Sequence, residues 1–143
     1  MKFKLFALLV LALCIGCSEN VSLRGTVLDE NGNPITIGVV NFVSEQGLSR
    51  AQIQSDGSYV VGTLKERDGL PRGTYRVYVT NAEIYVPSQA PPRVDAMGHV
   101  SPAMPDTRPL IASRYTTEAT TPIIVEVPAP GNRFDIVVTS FGN

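Results

Sequence analysis

The sequence predicts an all-β fold, an antiparallel β-sandwich of about seven or eight strands. The first observation is the alternation in Leu70–Thr80, where Tyr75, Val77 and Val79 fall on one side of a strand and mainly polar or charged residues fall on the other. The second is composition, because 12 glycines and 11 prolines punctuate short runs of β-branched residues. At 143 residues the chain is long enough to bury one core.

Charge and cysteine content restrict the function. The formal net charge is −1, which gives no electrostatic case for nucleic acid as a partner. Cys14 and Cys17 are the two cysteines of the chain, and both precede the predicted domain. The domain therefore has no disulfide and no cysteine-based metal site, and we expect no cofactor.

Residues 1–16 are predicted to be an export signal. Two lysines precede the apolar run Leu5–Ile15, whose roughly 11 residues are too few for the ~20 of a membrane-spanning helix. Gly16 is the small residue that a lipoprotein signal peptidase requires before the cut. The segment resembles a bacterial lipoprotein signal with Cys17 as the lipidated first residue. It differs in having Cys14 where Leu or Val is usual, and plain secretion is the alternative.

A lipid on Cys17 predicts where the protein resides. Acyl chains contribute ~0.8 kcal/mol per buried methylene, so several chains hold a small domain on a membrane. Residues 17–20 would form a short lipidated tether and residues 21–143 the β-sandwich domain. Without the signal, ten basic residues remain against 13 acidic ones, a formal charge of −3, so the lipid and not the domain should bind the membrane. The expected location is the cell envelope, facing the periplasm or the cell exterior.

Four strands are predicted before the central one, over Leu23–Leu28, Ile37–Ser44, Leu48–Gln54 and Tyr59–Leu64. Asn31 and Gly32 tolerate the positive φ of a turn, and Ser55–Ser58 predicts a tight hairpin. The third strand is more polar and is expected at a sheet edge. The charged residues in 65–69 indicate a solvated loop.

The central strand follows a Pro-Arg-Gly entry at residues 71–73. Tyr75 stands where sandwich folds place a corner tyrosine, which predicts a ring in the core and a hydroxyl bonded to nearby backbone.

Residues 81–109 interrupt the strand pattern. Six of the eleven prolines lie there, without periodic apolar spacing, so neither a helix nor a central strand is expected. A loop of this length is usually functional or disordered, and it is the first candidate for a recognition surface.

Two more strands are predicted after this excursion, over Ile123–Val127 and Phe134–Ser140. Phe134, Ile136 and Val138 are expected to point into the core, because they share one side of the last strand.

Three motifs in order carry a resemblance to a known family: Gly25–Ile35, Asp56–Tyr59 and Leu70–Val77. They are similar to the Gly-x-Val, Asp-Gly-x-aromatic and Pro-x-Gly-x-Tyr-x-Val patterns of carboxypeptidase regulatory-like, transthyretin-like domains. The resemblance implies a small Ig-like or transthyretin-like β-sandwich and no chemistry, since those modules are mostly non-catalytic.

The C-terminal part resembles a second group through Arg114–Tyr115, Thr121–Ile123 and Gly131–Asp135. These residues are similar to the C-terminal half of small lipoproteins common in planctomycetes and related bacteria. The role of those lipoproteins is generally unassigned, so the likeness implies a location and a fold.

The residues needed for catalysis are sparse. The mature domain has one histidine, His99, and no thiol beyond Cys17, so no nucleophile and base stand out as a pair. Transthyretin-like hydrolases that open hydroxyisourate use several histidines and a C-terminal Tyr-Arg-Gly-Ser segment, whereas this chain ends Ser-Phe-Gly-Asn. We therefore expect no enzyme, and a hydrolase of unknown substrate is an alternative.

Met97, His99 and Met104 are weak candidates for a metal site, because thioethers and imidazole suit copper(I) in an exported protein. In the alternative, the methionines dock the loop on the sandwich and the histidine is simply exposed.

Tyr78, Tyr85, Arg114 and Tyr115 are candidate partner-binding residues. The tyrosines are a possible aromatic platform for a sugar or protein. In the alternative, Tyr78 covers a neighbouring strand, Tyr115 packs the end of the sandwich and Arg114 pairs with a turn carboxylate.

The sequence therefore predicts a non-catalytic envelope lipoprotein, a binding or structural module that presents loops to a protein or polysaccharide. A copper-handling lipoprotein and a hydrolase are the alternatives.

Overall fold

Two sheets packed face to face form the body of the molecule, which a computed structural model describes over residues 20–62 and 68–142. Several predictions fall on residues outside these ranges: the signal peptide, tether residues 17–19 with the lipidation site Cys17, the last two residues of the predicted strand Tyr59–Leu64, and residues 65–67 of the charged segment. Within them, no helix has the length and apolar character needed to cross a membrane.

Eleven strands lie in the described residues: β1 (Arg24–Asp29), β2 (Val39–Ser44), β3 (Gly47–Gln52), β4 (Ser58–Val60), β5 (Gly73–Thr80), β6 (Glu83–Val86), β7 (Arg93–Val94), β8 (Val100–Ser101), β9 (Asp106–Pro109), β10 (Ile124–Val127) and β11 (Ile136–Val138). Two 3₁₀ turns, Ser113–Tyr115 and Pro130–Asn132, join the later strands.

Seven of these strands make the sandwich, which confirms the predicted fold class. One sheet has the order β10-β5-β2-β3 and the other has the order β11-β1-β4. The polar third strand, β3, lies at an edge as predicted. The Ser55–Ser58 turn is tight, but it passes the chain from β3 in one sheet to β4 in the other.

One strand pair differs from the predicted antiparallel arrangement. β11 runs parallel to β1, with Val27 opposite Ile136. β10 ends near the start of β5, since Val127 pairs with Gly73. The chain then crosses to the other sheet, where Arg133 bridges Arg24, the first residue of β1, and β11 begins three residues later opposite Val27. Both strands therefore run in the same direction.

The core lies between the two sheets and is built from the alternating side chains of both. Phe42 and Tyr59 face each other across it with ring centroids 5.9 Å apart. The Tyr75 ring is buried and its hydroxyl donates to the Pro71 carbonyl at 2.8 Å, which confirms the predicted corner. Ile136 and Val138 are buried and Phe134 is half-buried, as predicted. The buried hydrophobic residues all lie between Leu23 and Val138, and none lies in residues 83–110.

The Pro-rich segment is more ordered than the predicted loop. We call Glu83–Pro109 the arm. It is a long hairpin with β6 paired to β9 and, further out, β7 paired to β8. Both are two-stranded ribbons, so the prediction that the segment contains no helix or central strand agrees with the structure. Local pairing between its two halves produces the ribbons.

The arm and the N-terminal start of the described domain lie at opposite ends of the sandwich, and we call the end that carries Val21 the tether end, because the predicted tether directly precedes it. Val21 pairs with Leu70 through two backbone hydrogen bonds of 2.7 and 2.8 Å, so β1 and β5 begin at the tether end. The arm starts after Thr80, the last residue of β5. The eight residues of β5 separate the two ends by about 26 Å.

Candidate functional site

The five most exposed of the large apolar side chains lie on the arm. Tyr85, Val94, Met97, Val100 and Met104 are each between 64% and 85% exposed. Isolated exposed apolar residues are ordinary on a protein surface, whereas a group of them indicates a contact surface. The arm is therefore the principal candidate site.

The outer part of the arm forms a concavity of about 720 Å³, lined by residues from both of its chain segments, Ser88–Asp95 and Ser101–Asp106. Its walls include the apolar side chains of Val94 and Met104 and the charged side chains of Arg93 and Asp106. Mixed apolar and polar lining of this size suits a side chain or short segment of a partner.

The tip of the arm is closed by its own hydrogen bonds. Asp95 Oδ1 accepts from the backbone N–H groups of Met97 and His99 at 2.9 and 2.8 Å, and Asp95 Oδ2 lies 2.9 Å from His99 Nδ1. The backbone and side-chain hydrogen bonds from His99 lower the pKa of Asp95. The sequence of the tip thus encodes an Asp-capped turn.

The proposed soft ligands Met97, His99 and Met104 all lie on the arm. Met97 and His99 are at the tip, and Met104 lines the concavity. One ring nitrogen of His99 is already held by Asp95. Among residues 20–62 and 68–142, no group of three or more His, Cys, Asp or Glu side chains is arranged to hold a metal.

Arg114 and Tyr115 lie together near the arm end of the sandwich. The Arg114 guanidinium lies 4.8 Å from the centroid of the Tyr115 ring, and both side chains hydrogen-bond Thr139. The bond to Thr139 lowers the pKa of Tyr115. The Tyr115 ring is buried, so Arg114 supplies most of the exposed surface of this pair.

Tyr78 and Tyr85 lie on separate elements. Tyr78 is half-buried on β5, directly opposite Asn41 of β2, whereas Tyr85 is 78% exposed on β6. In the described part of the chain, no ring contact joins the candidate tyrosines into a platform.

Sequence reasoning missed two features of this region. The concavity depends on the pairing of β6 with β9 and of β7 with β8, and the alternation in Glu83–Val86 is the one signal that could have indicated a strand. Asn41 alternates with the core residues Val40 and Phe42 and therefore falls on the outer face of β2, yet it is buried there, with its amide donating to the Val39 and Tyr78 carbonyls and the Thr80 hydroxyl.

Comparison with known proteins gave little similarity. No family model matches the chain, and no curated protein matches it significantly. Among solved structures, the major pilin subunit BcpA of Bacillus cereus is similar over 85% of this chain, with a TM-score of 0.40 and 12% sequence identity. The match spans 30% of that pilin subunit.

Proposed function

We propose that the chain is a non-catalytic lipoprotein of the cell envelope that uses its arm to bind a partner protein. The observation that carries the proposal is the group of exposed apolar side chains on the arm, at the end of the sandwich away from the tether. Apolar side chains suit a protein surface better than a polysaccharide, which is usually bound by several stacked aromatic rings. Tyr85 is the one aromatic residue of the arm.

The titratable groups of the arm favour binding over catalysis. The single histidine has one ring nitrogen on Asp95, and it is 75% exposed at the side chain. A general base works best when it is partly desolvated and directed at a neighbouring nucleophile. The arm supplies contact surface and hydrogen-bonding groups instead.

The lipid anchor is the second part of the proposal. It rests on the apolar run that ends at Gly16–Cys17 and on the short tether that follows. Labelling of cells with a palmitate analogue should mark the wild-type chain and leave a Cys17→Ser chain unlabelled. A labelled Cys17→Ser chain would show that the lipid is attached elsewhere.

The arm is tested by shortening it without unfolding its base. Val86 lies opposite Asp106, so replacing residues 87–105 with Asn-Gly should close a two-residue hairpin on β6 and β9. Crosslinking and affinity capture from native membranes should recover envelope partners with the full chain and lose them with the shortened one. Full recovery by the shortened chain would refute the arm as the binding surface.

A point substitution provides a matched pair. Val94→Ser removes an exposed apolar side chain from the arm, and Val137→Ser removes one of similar exposure from the outer face of β11. We expect weaker capture with the first and unchanged capture with the second.

A further inference from the structure

The outer edge of β6 has no sheet partner in the described residues. The Leu110 N–H donates to the Ala82 carbonyl at 2.8 Å, which fixes the pattern of the ribbon. Hydrogen-bonded pairs alternate along an antiparallel ladder. Ile84 therefore hydrogen-bonds Arg108 through the backbone, and Val86 hydrogen-bonds Asp106 in the same way. The N–H and C=O groups of Glu83 and Tyr85 consequently point away from β9.

The outer edge of β9 is different because it lacks donors. By the same alternation, Thr107 and Pro109 point their backbone groups outward, and Pro105 precedes the strand. A proline has no N–H, so Thr107 offers the one backbone donor on that edge. β10 is similarly flanked by Pro122 and Pro128.

We propose that β6 pairs with β6 of a second copy of this chain, across a two-fold axis, to form a four-stranded sheet. An isolated two-stranded ribbon is only marginally stable in water, and a free edge is a template for another strand. The inference goes beyond the proposed function, since it concerns the base of the arm and not the outer concavity.

The register of this pairing follows from the outward-pointing backbone N–H and C=O groups of Glu83 and Tyr85. With Glu83 of one copy opposite Tyr85 of the other, each N–H meets a C=O, giving four backbone hydrogen bonds across the axis. Ile84 then lies opposite Ile84 of the second copy. No like charges are opposed, because each Glu83 faces a tyrosine. In this register the outward N–H and C=O groups of β6 match those of β6 on another copy. We therefore infer that the pairing strand comes from a second copy of this chain.

The first test removes one of the two outward N–H donors of β6, that of Tyr85. The segment 18–143 contains all the described core residues, and it is suited to sedimentation equilibrium. Tyr85→Pro should weaken dimerisation at least tenfold. Thr107→Pro is the matched control, because Thr107 lies directly opposite Tyr85 and also points its N–H outward. It should leave the dimer intact.

Tyr85→Thr distinguishes the effect of the Tyr85 side chain on dimerisation from that of its backbone. This variant keeps the N–H and should keep the dimer. A wild-type segment that stays monomeric up to millimolar concentration would overturn the proposal. Equal losses with Tyr85→Pro and Thr107→Pro would also overturn it, since they would indicate general damage to the ribbon.

The second test reads the register directly. The segment 18–143 has no cysteine, so Ile84→Cys should crosslink two copies under mild oxidation, because opposed non-hydrogen-bonded positions lie close enough for a disulfide. Val86→Cys, which this register places opposite Ala82, should not. Efficient crosslinking through position 86 alone would contradict the register.

The chain shortened at residues 87–105 distinguishes this inference from the proposed function. It retains β6 and should therefore still dimerise while losing envelope partners. A shortened chain that is monomeric, beside a wild-type dimer, would show that the outer arm makes the dimer contact.

Discussion

At the scale of single residues, Gly25 shows how closely the backbones of the two ends of the chain approach. A Cβ built on Gly25 would lie 1.8 Å from the Phe134 carbonyl oxygen and 2.9 Å from the Tyr59 hydroxyl. That hydroxyl donates to the same carbonyl oxygen, and burial raises the pKa of Tyr59, so the bond is maintained at any physiological pH. The three residues join β1, β4 and the segment that leads into β11.

We expect Gly25→Ala to destabilise the fold by about 3 kcal/mol, because backbone must shift to admit the methyl group. Urea denaturation of the 18–143 segment measures the change. Gly32→Ala is the comparison, since Gly32 has φ +84 and open space around it, so its cost is conformational and about 1 kcal/mol. Equal costs for the two substitutions would contradict the steric explanation.

Carboxylates that accept hydrogen bonds make stability depend on acid pH. The Arg133 side chain and then the Thr26 N–H lower the pKa of Asp135, and Asn33 and Ser58 do the same for Asp29 and Asp56, respectively. A lowered folded-state pKa adds stability above the unfolded value of 3.8, and that stability is lost as pH falls through the folded value.

The free energy of unfolding should therefore be constant near neutral pH and fall below about pH 4. Asp135→Asn should reduce stability at pH 7 and flatten part of the acid decline, as measured by urea denaturation at several pH values. A decline of unchanged steepness in this variant would show that Asp135 does not contribute to it.

At the scale of elements, the sandwich and the arm depend on different interactions. The sandwich strands share the buried core, whereas the arm contains none of the buried hydrophobic residues and is held by its own ladders. Segments with few buried contacts open at low free-energy cost. The arm should be able to change without affecting the sandwich.

Replacing residues 87–105 with Asn-Gly should accordingly change the thermal midpoint of the 18–143 segment by only a few degrees. Differential scanning calorimetry checks this. Amide hydrogen exchange should be fast in β7 and β8 of the full arm and slow in β5. A drop of 15 degrees or more in the midpoint would show that the outer arm stabilises the core.

The elements also show what local sequence determines. Alternation predicted β5 and the last two sandwich strands, and the polar character of Leu48–Gln54 predicted an edge. The parallel pairing of β11 with β1 was not predictable locally, because it joins residues more than 100 positions apart. The strands of the arm were not predicted, because its many prolines argue against strands. In the structure these prolines lie at outward or unpaired positions, where no backbone donor is needed.

The residue types of the candidate site could be proposed from the sequence, but their arrangement in space could not. The segment expected to carry recognition holds the five most exposed large apolar side chains, including Tyr85, and its role in recognition stays a prediction. Tyr78 and Tyr115 belong to other surfaces, because strand register and the Ser113–Tyr115 turn decide their direction. Those contacts are tertiary, and no spacing in the sequence encodes them.

At the scale of the whole molecule, the tether and the arm define an axis. β1 and β5 both begin at the tether end, and the arm continues past the end of β5. A lipid on Cys17 would then hold the arm tip away from the bilayer by more than the length of β5, about 26 Å.

Fluorophores placed on the lipidated chain in vesicles test this axis. A label at Met97→Cys should be little affected by a quencher in the lipid headgroups, whereas a label at Asn132→Cys, in the turn at the tether end, should be strongly quenched. Equal quenching at the two positions would show that the domain lies flat on the membrane.

The prolines that border β9 have one further consequence. A sheet grows indefinitely only if each added strand exposes a new edge that can accept another. Pairing at β6 leaves Pro105 and Pro109 on both outer margins of the resulting assembly, where no regular ladder can continue. Association through the arm is thus self-limiting, and a crowded surface could carry many copies without their polymerising into fibres.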